Sequence, residues 1–253
     1  MRRPQAVVTG AGVRIGRAIA LELAASGFEV AVHYRGSSVS AEETAHACVE
    51  AGGAAWTVQA DLGTPEGCEA LTAAVSAHAP GVHVLVNNAS IFEPVPFESL
   101  DLAAWERMQA INLRAPFLVS RGLLPQLRTA EACDIGGPAD QGGLVVHLCD
   151  IGADRPVSGY AHYSVSKAGL VMLVRAMAVE LAPRVRTVGI SPGQVMWPEW
   201  YDEKLRTKLE KRIPMGRAGG GEDCARLVRF LAKEAFYLNG VVIPVDGGLS
   251  LRY

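Results

Sequence analysis

"QAVVTGAGVRIGRAIALELAASG", residues 5–27, carries two periods back to back. The apolar run at 6–8 ends on Thr9-Gly10. From Arg14 the residues Ile15, Ile19 and Leu23 recur every fourth position, on one helical face, until Gly27 offers a residue suited to a helix C-cap. The stretch therefore predicts a strand, a glycine-rich turn and a helix. Glycines at such a turn let the backbone bend sharply and approach an anion, and the helix that follows presents free N–H groups and a positive dipole end. A glycine-rich turn alone serves equally as a tight connection; its place after the first strand is what points to a phosphate.

The unit repeats outward along the chain. "FEVAVHY" reads as a second strand, followed by a helix from Ser40, where Ser40-x-x-Glu43 has capping-box spacing. "AAWTVQADL" is a third strand, and Thr64-Pro65-Glu66 opens the next helix as N-cap, N1 and N2. "VHVLVNNAS" supplies a fourth strand, a helical stretch covers about 101–128, "CDIGGPADQGG" makes a loop and "LVVHLCD" a fifth strand. A helix over 160–181, the strand "VRTVGISPG", a helical excursion and the strand "GVVIPVDGG" complete the chain. Alternating β and α with almost continuously apolar strands implies a doubly wound α/β fold in one domain over 1–253, a parallel sheet with helices on both faces.

Composition narrows the functional classes. With 49% hydrophobic residues, 20% charged and a net charge of −2 with both signs interspersed, the chain has no basic face for nucleic acid. No run reaches the ~18 apolar residues of a membrane span, and "AVV" near the N-terminus is too short for a signal-peptide core. Five scattered cysteines without a C-x-x-C pair give neither a disulfide framework nor a metal site and fit a reducing, cytoplasmic setting.

The end of the second strand bears on cofactor choice. A dinucleotide site selecting NAD usually places Asp or Glu there, to take the ribose hydroxyls and repel a 2′-phosphate. Here the segment runs His33, Tyr34, Arg35, then Ser37 and Ser38, and Arg14 stands in the glycine turn itself. Cations and hydroxyls in place of the acid favour NADP(H), although Arg35 alone reads equally as a solvated loop residue.

Tyr163 and Lys167 lie at i and i+4 and so share a helix face. An ammonium near a phenol favours the phenolate and moves the tyrosine pKa down from ~10 toward the range of a general acid. Y-x-x-x-K by itself is a cheap match. In company with "TGAGVRIG" (9–16), "ADL" (60–62), "NNAS" (87–90), Asn112, "SPG" (191–193) and "VDGG" (245–248), all in order, the chain resembles the short-chain dehydrogenase/reductases over its whole length. That resemblance implies a Rossmann-type fold, Tyr163 as proton donor, Lys167 lowering its pKa and holding the nicotinamide ribose, and Asn112 anchoring a relay water. It implies Gly10, Ile15 and Gly16 at the cofactor phosphates, Asp61 and Leu62 at the adenine, Asn88 and Ala89 on the adenosine side, and Pro192 and Gly193 at the nicotinamide.

Two positions depart from that family's pattern: Arg14 where it has Gly, and Asp150 where it has Ser. Both resemble the pteridine reductase branch, as do "VHYRGS", "NNASIFEP" and "VDGGLSLR". The likeness implies Phe92 stacking on a pterin, Ser90 contacting substrate and cofactor, Arg14 bridging cofactor phosphate and substrate, and a substrate flap over about 194–220. A homotetramer follows from the same analogy. A Ser hydroxyl suits a carbonyl oxygen. A ring nitrogen must gain a proton, and a pterin edge presents donors as well as acceptors, which suits a carboxyl. The expectation is thus an NADPH-dependent reductase of a dihydropterin, with dihydrobiopterin, dihydromonapterin, dihydrofolate and oxidised pterins left open. A ketone or 3-oxoacyl reductase is the alternative, and a non-catalytic NADPH-sensing module a weaker one. Asp150 reads alternatively as a turn residue and Phe92 as loop packing; Trp197, Trp200 and Tyr201 either line a pocket or pin the flap. His147 and Cys149 read as buried strand residues.

Overall fold

A computed structural model describes residues 2–197 and 201–252. The first half of the sheet is built from β1 (Gln5–Val8), β2 (Glu29–Tyr34), β3 (Ala54–Gln59) and β4 (Val84–Asn87), joined by the helices α1 (Arg14–Ala25), α2 (Ser38–Glu50) and α3 (Pro65–His78). The second half follows as α4 (Leu102–Gln109), α5 (Ala115–Gly122), α6 (Leu124–Thr129), β5 (Leu144–Leu148), α7 (Ala161–Leu181), β6 (Arg186–Pro192), α8 (Glu203–Glu210), α9 (Gly221–Lys233) and β7 (Val242–Val245). The seven strands form one parallel sheet in the order β3-β2-β1-β4-β5-β6-β7. Chain order reverses between β1 and β4, the place where open α/β sheets hold ligands beyond their strand ends.

Strand side chains alternate between two cores. Ala6, Val8, Val30, Val32, Val84 and Val86 face α1 and α9, with Ile19, Leu23, Val228 and Leu231 among the partners. Val7, Ala31, Leu85 and Val145 face the other way, onto Leu71 and Val75 of α3, Val119 of α5 and Leu127 of α6. Burial on both faces is why the strands read as continuous Val-rich runs.

Three local features differ from the sequence reading or sharpen it. Thr64 caps α3 as expected, its Oγ1 accepting from the Gly67 N–H at 3.0 Å. Helix α2 begins two residues early: Ser38 opens it, and Ser40 lies within the first turn, its carbonyl accepting from Thr44 Oγ1. The capping box at Ser40 does not form. The expected helix over about 101–128 is broken twice, by a π turn at Ala110–Arg114 and at Leu123. Pro116 and Pro125 each sit in the first turn of the segment they open, where a missing N–H costs nothing. Among the described residues no helix is long and apolar enough to cross a membrane.

Candidate active site

A cavity of about 1000 Å³ runs along the C-terminal strand ends across the switch point. At one end lies the turn after β1. Gly10 has φ +63°, and Gly16 is so close to the turn that a Cβ would fall 2.2 Å from the Gly10 carbonyl and 2.5 Å from Asn88 Nδ2. Asn88 ties the turn to β4, donating to the Thr9 and Gly10 carbonyls. Helix α1 starts here with Val13 as N-cap, no side-chain cap and no acid in its first turn. Its leading N–H groups are left for an anion, and Val13, Arg14, Ile15 and Gly16 all line the cavity. A cradle with no room for a Cβ at Gly16 and a capless helix start fit the diphosphate of a dinucleotide.

His33, Tyr34, Arg35 and Ser37 line the same end, with Asp61 and Leu62 beyond them. His33, however, supplies no charge. Its Nδ1 accepts from the Gly10 N–H at 3.0 Å, its Nε2 faces the Ala60 carbonyl at 3.1 Å, and burial lowers its pKa to about 4. The ring is a neutral brace between β2, the glycine turn and the end of β3; the cations of this end are Arg35 and Arg14. Arg14 adopts φ +55°, a left-handed conformation that favours glycine, and its guanidinium donates to the carbonyls of Met196 at 2.8 Å and Trp197 at 3.1 Å. It straps the segment after β6 across the turn.

At the far end, Tyr163 and Lys167 project from the first turns of α7 and Asp150 from the end of β5. The Tyr163 hydroxyl donates to Asp150 Oδ2 at 2.9 Å, and the Gly152 N–H donates to Oδ1 at 2.6 Å. Lys167 is buried; its Nζ donates to the Leu148 carbonyl at 2.7 Å and lies 5.7 Å from the Tyr163 ring centre. Burial raises the Asp150 pKa, against the Gly152 N–H, the Lys167 charge and the Tyr163 hydroxyl, which lower it. Burial also lowers that of Lys167. Tyr163 is pushed well above its ordinary value, by burial first and then by Asp150. The expected lowering by Lys167 is therefore not what these side chains produce: the carboxylate is in hydrogen-bond contact and the ammonium is not.

Asn112 stands in the π turn and does not line the cavity. Its Oδ1 accepts from the Ile91 N–H at 2.9 Å and Ser90 Oγ at 3.1 Å, while Nδ2 donates to the Ile91 carbonyl and Ser166 Oγ. These bonds fix Ser90 and Ile91, and through them the Ser90–Phe92 wall. Phe92 lines the cavity with one ring face stacked on Tyr160 at 4.2 Å, and Tyr163 meets it edge-on at 4.8 Å. Ser90, Ala89, Asn88, Pro192 and Gly193 complete the expected wall. Trp197 is not among its residues, Tyr201 is, and Trp200 lies outside the described residues. Sequence reasoning missed Tyr160, whose i, i+3 spacing to Tyr163 was the available signal, and Arg155, Arg212 and Arg252, which line the wall from three separate segments. His147 is fully buried, its pKa lowered to about 3, and burial pushes the Cys149 thiol up to about 12, so neither is a reactive group at neutral pH.

A parallel doubly wound sheet with an anion cradle at the switch point and a proton-carrying phenol in the same cavity defines an α/β oxidoreductase that works with a nicotinamide dinucleotide. The chain belongs to the short-chain dehydrogenase/reductase family. A family model described as enoyl-(acyl carrier protein) reductase matches residues 10–250. The chain is 35% identical to 3beta-hydroxysteroid dehydrogenase 1 of Eggerthella lenta, over 97% of this chain and 93% of that protein. It is 31% identical to the 3-oxoacyl-[acyl-carrier-protein] reductase FabG of Staphylococcus aureus, over 97% and 98%. A crystal structure described as a short-chain alcohol dehydrogenase from Sinorhizobium meliloti 1021 superposes with a TM-score of 0.89 at 30% identity, covering 99% of this chain and 97% of that one. A short-chain dehydrogenase/reductase from Serratia marcescens BCRC 10948 gives 0.87 at 32% identity over 98% of both.

Proposed function

We propose that this oxidoreductase is an NADPH-dependent pteridine reductase, and the observation that carries the reading is the 2.9 Å contact between Tyr163 and Asp150. When bound, the nicotinamide supplies a hydride. The chain's own residues then have to hold the acceptor ring and deliver one proton. An ionised carboxylate only accepts hydrogen bonds, so at the position where a carbonyl oxygen would approach Tyr163 it is repulsive. A heterocycle whose edge bears N–H and amino donors is instead held by it. Because burial raises the Asp150 pKa, the same group can take up a proton and pass it back through the Tyr163 hydroxyl to a ring nitrogen. Lys167 supplies the compensating charge, and Phe92, backed by Tyr160, offers an aromatic surface. For the cofactor, Arg35, Arg14 and Ser37, with no acid at the end of β2, support NADP(H) over NAD(H).

The named relatives favour a second reading. Hydroxysteroid dehydrogenase and 3-oxoacyl reductase are names for carbonyl and hydroxyl chemistry, not for pterin chemistry. Under that reading Asp150 is only a strand-end turn residue, in keeping with its bond to the Gly152 N–H. Oxidation of NADPH with 7,8-dihydrobiopterin and with acetoacetyl-CoA, side by side, separates the two. Turnover of the dihydropterin with little of the thioester is expected; the reverse result overturns the pterin reading.

A further inference from the structure

The substrate end of the cavity carries charge that the chemistry above does not use. Arg155 follows the turn after Asp150, Arg212 follows α8, and Arg252 follows the 3-10 turn Leu249–Leu251; all three line the same cavity. Arg155 braces this rim, its guanidinium donating to the Arg252 carbonyl at 2.5 Å. The guanidinium groups of Arg212 and Arg252 have no carboxylate or hydrogen-bond partner among the described residues, and both are exposed. The described wall holds only two carboxylates, and neither serves this rim. Asp61 belongs to the turn after β3, where its Oδ1 takes the Gly63 N–H, and Asp150 is committed to Tyr163 and Gly152. Val157, Tyr160, Tyr201 and Leu209 line the same cavity and give it an aromatic and aliphatic surface.

A neutral pterin head explains Asp150 but gives these cations nothing to do. From two unpaired guanidinium groups on the wall of one cavity we infer that the substrate extends past the reacting ring into an apolar, ring-sized spacer and ends in an anion held by Arg212 and Arg252. Resting on the pteridine reading, this selects a dihydropteroylglutamate, with its benzoyl ring and two carboxylates, over dihydropterins with short neutral side chains. Arginine forks match carboxylates in pairs, so two unpaired guanidinium groups suit a dianion better than one.

The experiment compares dihydrofolate with 7,8-dihydrobiopterin, using NADPH and the full-length enzyme, in wild type and in the double variant Arg212→Gln/Arg252→Gln. The expected result is a rise of about tenfold or more in KM for dihydrofolate, with kcat, the KM for NADPH and the KM for dihydrobiopterin unchanged. In wild type, added salt should raise the dihydrofolate KM alone. If dihydrobiopterin is turned over and the substitutions leave the dihydrofolate KM where it was, or raise both substrate KM values equally, the inference is overturned and the pteridine reading stands. If wild type reduces neither dihydropterin, the pteridine reading itself fails and takes the inference with it.

Discussion

At the scale of residues, the site turns on how three ionisable groups share a buried volume. Asp150 is the costly member. A carboxyl whose pKa is raised on folding stabilises the fold when protonated. That contribution is complete below the unfolded value of about 3.9 and is lost as pH rises through the raised folded value. Asp150→Asn removes the cost while keeping an acceptor for the Gly152 N–H. Its melting temperature should exceed that of wild type at pH 7, and the gap should close as pH falls toward 4. Dihydropterin turnover by the same variant should drop by about a hundredfold or more, the usual size of a lost proton-transfer group. A variant that is no more stable at pH 7 would show that the carboxylate is not desolvated; one with unimpaired turnover would remove it from the chemistry. That Tyr163 and Lys167 share a helix face was legible from their i, i+4 spacing. The direction of the tyrosine shift was not, because it depends on burial depth and on a contact between residues thirteen apart, neither of which local periodicity records.

At the scale of elements, the segment after β6 is held to the turn after β1 by one side chain under backbone strain. Arg14 takes a left-handed conformation that costs a non-glycine residue about 1 kcal/mol, and Met196, whose carbonyl it grips, also has positive φ. Arg14→Gly should relieve the strain and loosen the strap. Thermal stability should change little, while the KM values for substrate and NADPH rise by about tenfold, as one or two charge-assisted hydrogen bonds would predict. Unchanged KM values would mean that the strap does no work in binding. Gly16→Ala is the contrasting case. Its Cβ would fall 2.2 Å from the Gly10 carbonyl, backbone that cannot swing aside, so loss of dinucleotide binding, measured by fluorescence titration with NADPH, should come with a lower melting temperature. Strand and helix identities could be read because strands buried against both cores are continuous apolar runs, whereas the helices between them carry one apolar face. The breaks in the 101–128 region could not: apolar spacing continues through the π turn, and only Pro116 and Pro125 hinted at a boundary. With the π turn went the contacts of the Asn112 side chain, which holds Ser90 and Ile91 in place.

At the scale of the whole molecule, α7 poses the remaining question, since it carries Tyr163 and Lys167 on its buried side and an apolar stripe on the other. Val165, Ala168, Met172, Ala176 and Val179 are all exposed, at spacings of three and four that keep them on one face, and Val179 is 82% exposed. Only Arg175 and Glu180 interrupt the exposed positions with charge. Scattered apolar residues on a surface need no explanation, but a continuous stripe along a helix of ~30 Å marks a surface meant to be covered. We propose a second copy of the chain as the cover, within the homotetramer that the family resemblance suggests. A shared helix would then link assembly to catalysis: packing that fixes the outer face of α7 also fixes the helix from which Tyr163 and Lys167 project. Met172→Glu/Val179→Glu should place two charges against an apolar partner, at a cost of several kcal/mol per interface, and yield a monomer by light scattering. Its melting temperature and turnover should fall together, although neither residue touches the cavity. A wild-type protein that is already monomeric at micromolar concentration would refute self-association, and a monomeric variant with full turnover would separate assembly from the active site.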